Sequence, residues 1–226
     1  MNTSPKVSII IPCYNMEKYI QETIQSALAQ TYPNKEILVM DDRSTDASVP
    51  ITIATLGRVF MSKDNLGLAA TRNKGWKIAD GEFILPLDAD DKLDPTYLER
   101  TVPLMTEGVG VVSTWMEIFD SHTEFCGSPT STYPIFVPTR ASILDGNNLP
   151  CCSLIRKSVL EEVGGWPNTP KGSEDWALWA KITCKTNWQV KILPEYLFKY
   201  RVRQNSMRST MQPFEITREE IRSQNA

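Results

Sequence analysis

The first ninety residues switch repeatedly between uninterrupted apolar runs and stretches with helical spacing. Val7-Ser8-Ile9-Ile10-Ile11-Pro12 is β-branched and uncharged, which predicts a parallel strand covered on both faces. Ile20, Ile24, Ala27 and Leu28 recur at helical spacing and predict an amphipathic helix ending before Pro33, with Asn15 at an N-cap position ahead of it. A second strand is expected from Glu36 to Met40, closing on Asp41-Asp42-Arg43-Ser44-Thr45-Asp46. The next connection, about a dozen residues with Pro50 inside it, is near the minimum for a parallel crossover. Arg58 to Met61 predicts a short third strand, Gly67 to Ala79 a helix, and Glu82 to Leu87 a fourth strand. Strands alternating with helices in this way imply an α/β fold with a Rossmann-like, doubly wound, mostly parallel sheet.

The second half reads differently. A helix is expected from Tyr97 to Met105 and a strand from Gly110 to Ile118. From Asp120 to Pro150 the chain is rich in Ser, Thr, Pro and Gly with little periodicity, so a loop-rich segment with short strands is expected there. Leu154 to Val163 predicts a helix stopped at Gly164-Gly165. Ser173-Glu174-Asp175 opens another helix, with Trp176 and Trp179 on its apolar face. Val190 to Leu193 and Leu197 to Val202 predict two late strands, and Glu215 to Arg222 a surface helix in a polar tail.

Composition narrows the chemistry. The 226 residues are 41% apolar with a formal charge of −3, so nothing favours a nucleic-acid partner. The five cysteines form no CxxC pair and His122 is the one histidine. Reduced thiols and a cytoplasmic setting are expected, and Ser-His-Asp, Cys-His and zinc-histidine chemistry are poorly supported. No run approaches a membrane span, which leaves attachment to the inner membrane face open.

The acids are the informative residues. Asp88, Asp90 and Asp91 follow the fourth strand, and three carboxylates that close cannot all stay ionised in a dry site without a cation. Oxygen ligands suit Mn²⁺ or Mg²⁺, ions commonly bound together with substrate phosphates. The alternative is a solvated acidic turn that caps the next helix. Neither a GxGxxG fingerprint nor a P-loop follows the first strand, so a metal would carry most of the phosphate binding. Asp42 ends a strand as Asp88 does, and Tyr14 in Pro12-Cys13-Tyr14-Asn15 is placed to meet a base or ribose. Arg72 is able to face the acidic cluster, although a structural ion pair explains it equally well. Trp166, Trp176 and Trp179 suit either a core or the faces of sugars. Arg201 and Arg203, just past a strand, suit a diphosphate.

In combination these segments resemble the family 2 glycosyltransferases with the GT-A fold. The matching pieces are VSIIIPCYN (Val7 to Asn15), EILVMDDRSTD (Glu36 to Asp46), Asn65 to Gly81, EFILPLDADD (Glu82 to Asp91), LIRKSVLEEVGGW (Leu154 to Trp166) and GSEDWALW (Gly172 to Trp179). The resemblance implies an inverting, metal-dependent transfer from a nucleotide-diphosphate sugar, with UDP as the expected nucleotide, to a carbohydrate or lipid-linked acceptor. It also implies one domain over residues 1–226: a nucleotide-binding half (1–92), an acceptor-binding half (93–206) and a polar tail (207–226). Pro12, Tyr14, Asn15 and Asp42 fall at the nucleoside, and Arg72, Asp88, Ala89 and Asp90 towards the phosphates. Asp90 or Asp91 takes the metal, Asp175 is the general base, and Glu174, Trp176, Arg201 and Arg203 contact acceptor or diphosphate. Two features depart from many relatives. Arg203 stands where a histidine is usual, and the QxxRW signature of processive synthases is missing, which favours single additions. A non-catalytic binding module on the same scaffold is the alternative.

Overall fold

The computed structural model describes residues 4–119, 131–169, 172–203 and 214–225. His122, Cys126 and the Gln204–Ser206 end of the basic segment lie outside them. Strand β1 (Val7–Cys13) is buried throughout and pairs in parallel with β2 (Lys35–Asp41) on one side and β4 (Phe83–Pro86) on the other. Period-2 alternation sends its side chains into two cores. Ile9 and Ile11 join Ile20 and Ile24 of helix α1 (Ile20–Leu28) on one face, while Ile10 joins Trp76 of α3 (Leu68–Ile78) on the other. Continuous burial on both faces is why the run carries no charge.

A nine-stranded sheet runs through both halves of the chain in the order β3-β2-β1-β4-β8-β6-β9-β5, with β7 attached to β6. β3 (Phe60–Met61), β2, β1 and β4 are parallel, as expected. Beyond β4 the sheet is mixed. β8 (Leu154–Arg156) lies antiparallel between β4 and β6 (Val109–Phe119), whereas β9 (Gln189–Arg201) runs parallel to β6. The short strands β5 (Lys92–Leu93) and β7 (Ser131–Tyr133) complete it.

Several expectations need correction. Leu154 to Arg156 is strand, not helix, and α6 begins at Lys157 (Lys157–Val163). An apolar run too short to show a period cannot separate the two by itself. The helix does stop at Gly164, which adopts a left-handed φ of 81°. The two late strands are one, and the interruption around Pro194 is a register shift against Thr114–Met116 of β6. The crossover after β2 holds α2 (Ser48–Leu56), with Pro50 in its first turn, where no intrahelical N–H is needed. Helix α4 (Tyr97–Thr101) passes into a 3₁₀ turn at Val102–Leu104. The loop-rich segment hides α5 (Arg140–Asp145), capped reciprocally by Thr139 and Ser142. Leu28 is exposed and lies off the apolar face of α1. The terminal helix α8 (Phe214–Asn225) is more than a surface helix. Ile221 is buried and Phe214 stacks on Trp176 at 5.6 Å, which docks α8 on α7 (Glu174–Lys185).

Candidate active site

The parallel strands β1, β2 and β4 end together, at the edge where open α/β sheets place ligands. The loops after β1 and β2 are bonded to each other. Asn15 donates its N–H to Ser44 Oγ (2.9 Å) and accepts at Oδ1 from Thr45 N–H (2.8 Å). Asn15 is therefore a left-handed loop residue (φ 54°), not an N-cap; α1 starts after Tyr19. Above this joint Tyr14 is 46% exposed, and Pro12 is buried beneath it. Arg43 also takes a left-handed φ, 67°. Asp42 is buried and its carboxylate accepts from Leu66 N–H at 2.9 Å and Gly67 N–H at 2.8 Å. It thereby holds the turn into α3 against the end of β2. Asp41 accepts from Ser44 N–H, while its buried Oδ1 has no partner among the described residues.

The acidic run after β4 is braced from behind. Thr23 Oγ1 donates to the carbonyls of Ala89 (2.9 Å) and Asp91 (2.8 Å), so Ala89 contributes its backbone. Asp91 is fully buried. Its Oδ1 accepts from Arg201 N–H at 2.7 Å, and its Oδ2 has no partner among the described residues. Asp88 Oδ1 accepts from Arg72 Nη2 at 2.5 Å, and its Oδ2 accepts from the Cys151 thiol at 3.2 Å. Asp90 Oδ2 accepts from Arg203 Nε at 2.5 Å. Burial, with Asp88 next in effect, raises the Asp90 pKa; burial, Asp90 and Asp88 push that of Asp91 well above the carboxylate range. Burial is the larger cause in both, and the mutual repulsion of the acids adds to it although Arg72, Arg201 and Arg203 all contact the run.

A cation fits this charge pattern. Among the described residues, ligand atoms of Asp88, Asp91 and Cys151 lie within 4.8 Å of one another, and Asp91 has one buried oxygen, Oδ2, without a partner. Of the two residues expected at a metal, Asp91 has no exposed surface with which to meet a substrate, because Arg201 and the sheet cover it. Asp90, half-buried at the rim, has Arg203 on its carboxylate.

Arg72 connects this cluster to α7. The guanidinium is 1% exposed, with Nη1 donating to Glu174 Oε1 at 2.6 Å and Nη2 to Asp88. It makes the structural ion pair, with both ends of its fork taken. Glu174, likewise buried, is that pair's partner. Asp175 beside it turns elsewhere. Its Oδ1 accepts from Trp176 N–H at 2.7 Å and its Oδ2 from Asn147 Nδ2 at 3.0 Å. A helix start ordinarily depresses a carboxyl's pKa. Burial, reinforced by Glu174, instead pushes its pKa up to about 7 and outweighs Arg72 and the two hydrogen bonds.

Two further expectations change. Trp176 is core, its indole N–H donating to Ile143 O at 2.6 Å, and Trp166 and Trp179 are buried with it. Arg201 is internal. Nε donates to Asp90 O (2.6 Å), Nη2 to Glu22 Oε2 (2.5 Å), and the guanidinium lies over the Phe119 and Tyr19 rings. It supports the acidic loop. Sequence reading missed Asn147, Cys151, Thr23 and Glu22. Each acts through a contact with a residue far along the chain, and none sits at a spacing that announces it.

Comparison with known proteins agrees with this geometry. A family model described as Glycosyl transferase family 2 matches residues 8–164. An uncharacterized glycosyltransferase of Rickettsia prowazekii (strain Madrid E) is 32% identical over 191 residues, 79% of this chain and 59% of its own length. The putative teichuronic acid biosynthesis glycosyltransferase TuaG of Bacillus subtilis (strain 168) is 37% identical over 111 residues, 47% of this chain and 44% of its own. The chain thus spans about three-fifths of the Rickettsia relative. In fold it is similar to S. aureus TarS in complex with UDP-GlcNAc, with TM-score 0.76, 24% identity, and 96% and 64% of the two chains covered. It is also similar to the mannosyltransferase PcManGT from Pyrobaculum calidifontis in complex with GDP-Man and Mn²⁺, with TM-score 0.70, 18% identity, and 99% and 62% covered. These two share the GT-A arrangement of a mixed sheet between helices. With more than half its length matched, this chain belongs to glycosyl transferase family 2.

Proposed function

We propose that the chain transfers a sugar from a nucleotide-diphosphate donor, with UDP as the nucleotide, to a hydroxyl of a carbohydrate or lipid-linked acceptor, inverting the anomeric centre. The observation that carries this reading is the pairing of two poles through one buried arginine. Asp88 stands at the end of β4, and Arg72 ties it to Glu174, the immediate neighbour of Asp175. A donor seated on the strand ends would then lie beside a carboxylate whose pKa, about 7, suits it to take a proton at neutral pH.

In this reading Tyr14, Pro12, Asn15 and the Leu66–Gly67 turn held by Asp42 wall the nucleoside, and the lone pairs left on Asp42 accept from the uracil N3–H. Asp90 at the rim, with Asp88, would hold Mn²⁺ or Mg²⁺, and Asp91 supports them from behind. A divalent cation so bound supplies Lewis-acid neutralisation of the departing diphosphate. Asp175 accepts the acceptor hydroxyl's proton. The freed oxygen forms a bond to the anomeric carbon as the bond to the diphosphate breaks and its electron pair leaves with the phosphate. One displacement inverts the centre and needs no covalent nucleophile on the protein. Neighbours solved with UDP-GlcNAc and with GDP-Man and Mn²⁺ support a nucleotide-sugar donor and a cation, and TuaG's name supports a role in cell-surface polysaccharide or glycolipid synthesis. No helix among the described residues is long and apolar enough to cross a membrane.

Thermal-shift titration with UDP-GlcNAc, UDP-glucose, GDP-mannose and CMP, with and without Mn²⁺, tests this. A ligand bound to the folded state raises the melting temperature by mass action. The expected result is a Mn²⁺-dependent shift largest for UDP-sugars. A flat response to every nucleotide would refute donor binding, and equal shifts for all would remove Asp42 from base selection.

A further inference from the structure

Tyr200-Arg201-Val202-Arg203 carries two arginines that the fold uses in opposite ways. Arg201 is buried and fixed by Asp90 O, Glu22 and two aromatic rings. Arg203 makes a lighter set of contacts. Nε meets Asp90 Oδ2 at 2.5 Å with the two side chains 22% and 15% exposed, Nη2 approaches Met16 Sδ at 3.6 Å, and the guanidinium lies over the Tyr19 ring. Met16 and Tyr19 belong to the loop after β1, the loop read above as a wall of the nucleoside site. Arg203 thus stands between the acidic cluster and the place assigned to the donor, on an acid that, like Asp88, is partly exposed, whereas Asp91 is fully buried.

A guanidinium 2.5 Å from the Asp90 carboxylate and a divalent ion on that same carboxylate repel each other, so the Arg203 contact weakens the hold of Asp90 on a metal. A diphosphate offers Arg203 an alternative partner, with oxygens that match the guanidinium fork in pairs. From this geometry we infer that Arg203 is an exchangeable cation. It neutralises Asp90 in the donor-free protein, then transfers to the donor's diphosphate and leaves Asp90 to the metal. The inference rests on the reading of Asp90 as a metal ligand. Its consequence is that metal and nucleotide bind as a pair. Mn²⁺ by itself must displace Arg203 into solvent, whereas Mn²⁺ arriving with UDP gives Arg203 a new anion. Linkage between two sites is commonly worth about 5- to 150-fold in affinity and is reciprocal.

The test is Mn²⁺ binding, followed by electron paramagnetic resonance and calorimetry, to wild type, Arg203→Gln, Arg203→Lys and Asp90→Asn, each with and without saturating UDP. Thermal melts check that each variant is folded. In wild type, UDP is expected to tighten Mn²⁺ binding at least about 5-fold, and Mn²⁺ to tighten UDP by the same factor. Arg203→Gln should bind Mn²⁺ alone more tightly than wild type and lose most of the enhancement by UDP. Arg203→Lys keeps a charge for Asp90 but lacks the fork, so it should bind Mn²⁺ alone as weakly as wild type and respond less to UDP. That variant carries the test should Arg203→Gln fail to fold. If Asp90→Asn abolishes Mn²⁺ binding while Arg203→Gln leaves the affinity for Mn²⁺ alone unchanged or weaker, the exchange is refuted and the metal site stands. If Asp90→Asn binds Mn²⁺ like wild type, or no variant binds it under either condition, the metal reading falls and the exchange with it.

Discussion

Asp175 combines two requirements that usually conflict. It is half-buried beside Glu174, which makes its charge costly, and the role of base proposed for it requires that charge. With a pKa of about 7, kcat/KM for transfer should rise as pH increases through that value, since the ionised form is the base. Asp175→Asn preserves the oxygen that caps Trp176 N–H and places an amide NH2 where the second oxygen met Asn147, whose own amide can turn to accept, but it cannot take the proton. The expected loss is about a hundred- to ten-thousand-fold in rate, with UDP affinity retained. Loss of UDP affinity together with turnover would show the base to be elsewhere. The same variant should be more stable than wild type above pH 7. The folded pKa lies above the ordinary carboxyl value of ~3.9, so the group favours folding fully below that value and loses its contribution as pH rises to about 7. Melting curves from pH 4 to 8 should show the gap between wild type and variant opening with pH. The position of this acid was legible from Ser173-Glu174-Asp175 at a helix start. Its pKa direction was not, because Glu174, Asn147 and burial set it through tertiary contacts.

At the scale of elements, α3 shows how closely a helix must approach the sheet to present its cargo. Gly75 faces β1, where an added Cβ would lie 2.5 Å from Ile10 Cγ2 and 3.2 Å from Met40 Cγ. Ile10 is β-branched and central in the sheet, so it cannot swing aside. Gly75→Ala should therefore destabilise by about 1–3 kcal/mol through overpacking, although alanine is ordinarily the better helix former. Denaturant titration measures it, and a neutral result would mean that α3 stands off the sheet. Periodicity revealed β1, α1, β2, α3 and β4 because each is long enough, or apolar enough, to display its own period. β8 escaped because three residues of strand run into α6 without a turn. α5 escaped because its one fully buried apolar residue, Ile143, leaves no repeat to detect.

Across the whole molecule, Arg72 makes the two halves electrostatically dependent. It is fully buried between Asp88 and Glu174, which are 16 and 102 residues away in sequence. Arg72→Met strands both acids and should cost about 3–5 kcal/mol, the scale seen when one partner of a buried pair is removed. Adding Glu174→Gln should recover part of that loss in the same denaturation assay. If Arg72→Met alone cost nothing, the bridge would be incidental. The parallel half of the sheet could be foreseen from strands and helices in alternation. The pairing of β6 with both β8 and β9 could not, because long-range partners leave no mark on local spacing. One of those partners also sets a timetable. Asp91 takes its backbone donor from Arg201, 110 residues later, and Asp90 its guanidinium from Arg203, 113 residues later. A ribosome adding roughly 5–20 residues per second needs about 5 to 20 seconds to make the intervening chain. Through that whole interval the acids have been made with neither arginine yet translated. A nascent chain released before residue 201 would hold Arg72 but lack both arginines that brace Asp90 and Asp91, so the donor site proposed above is complete only with the last strand.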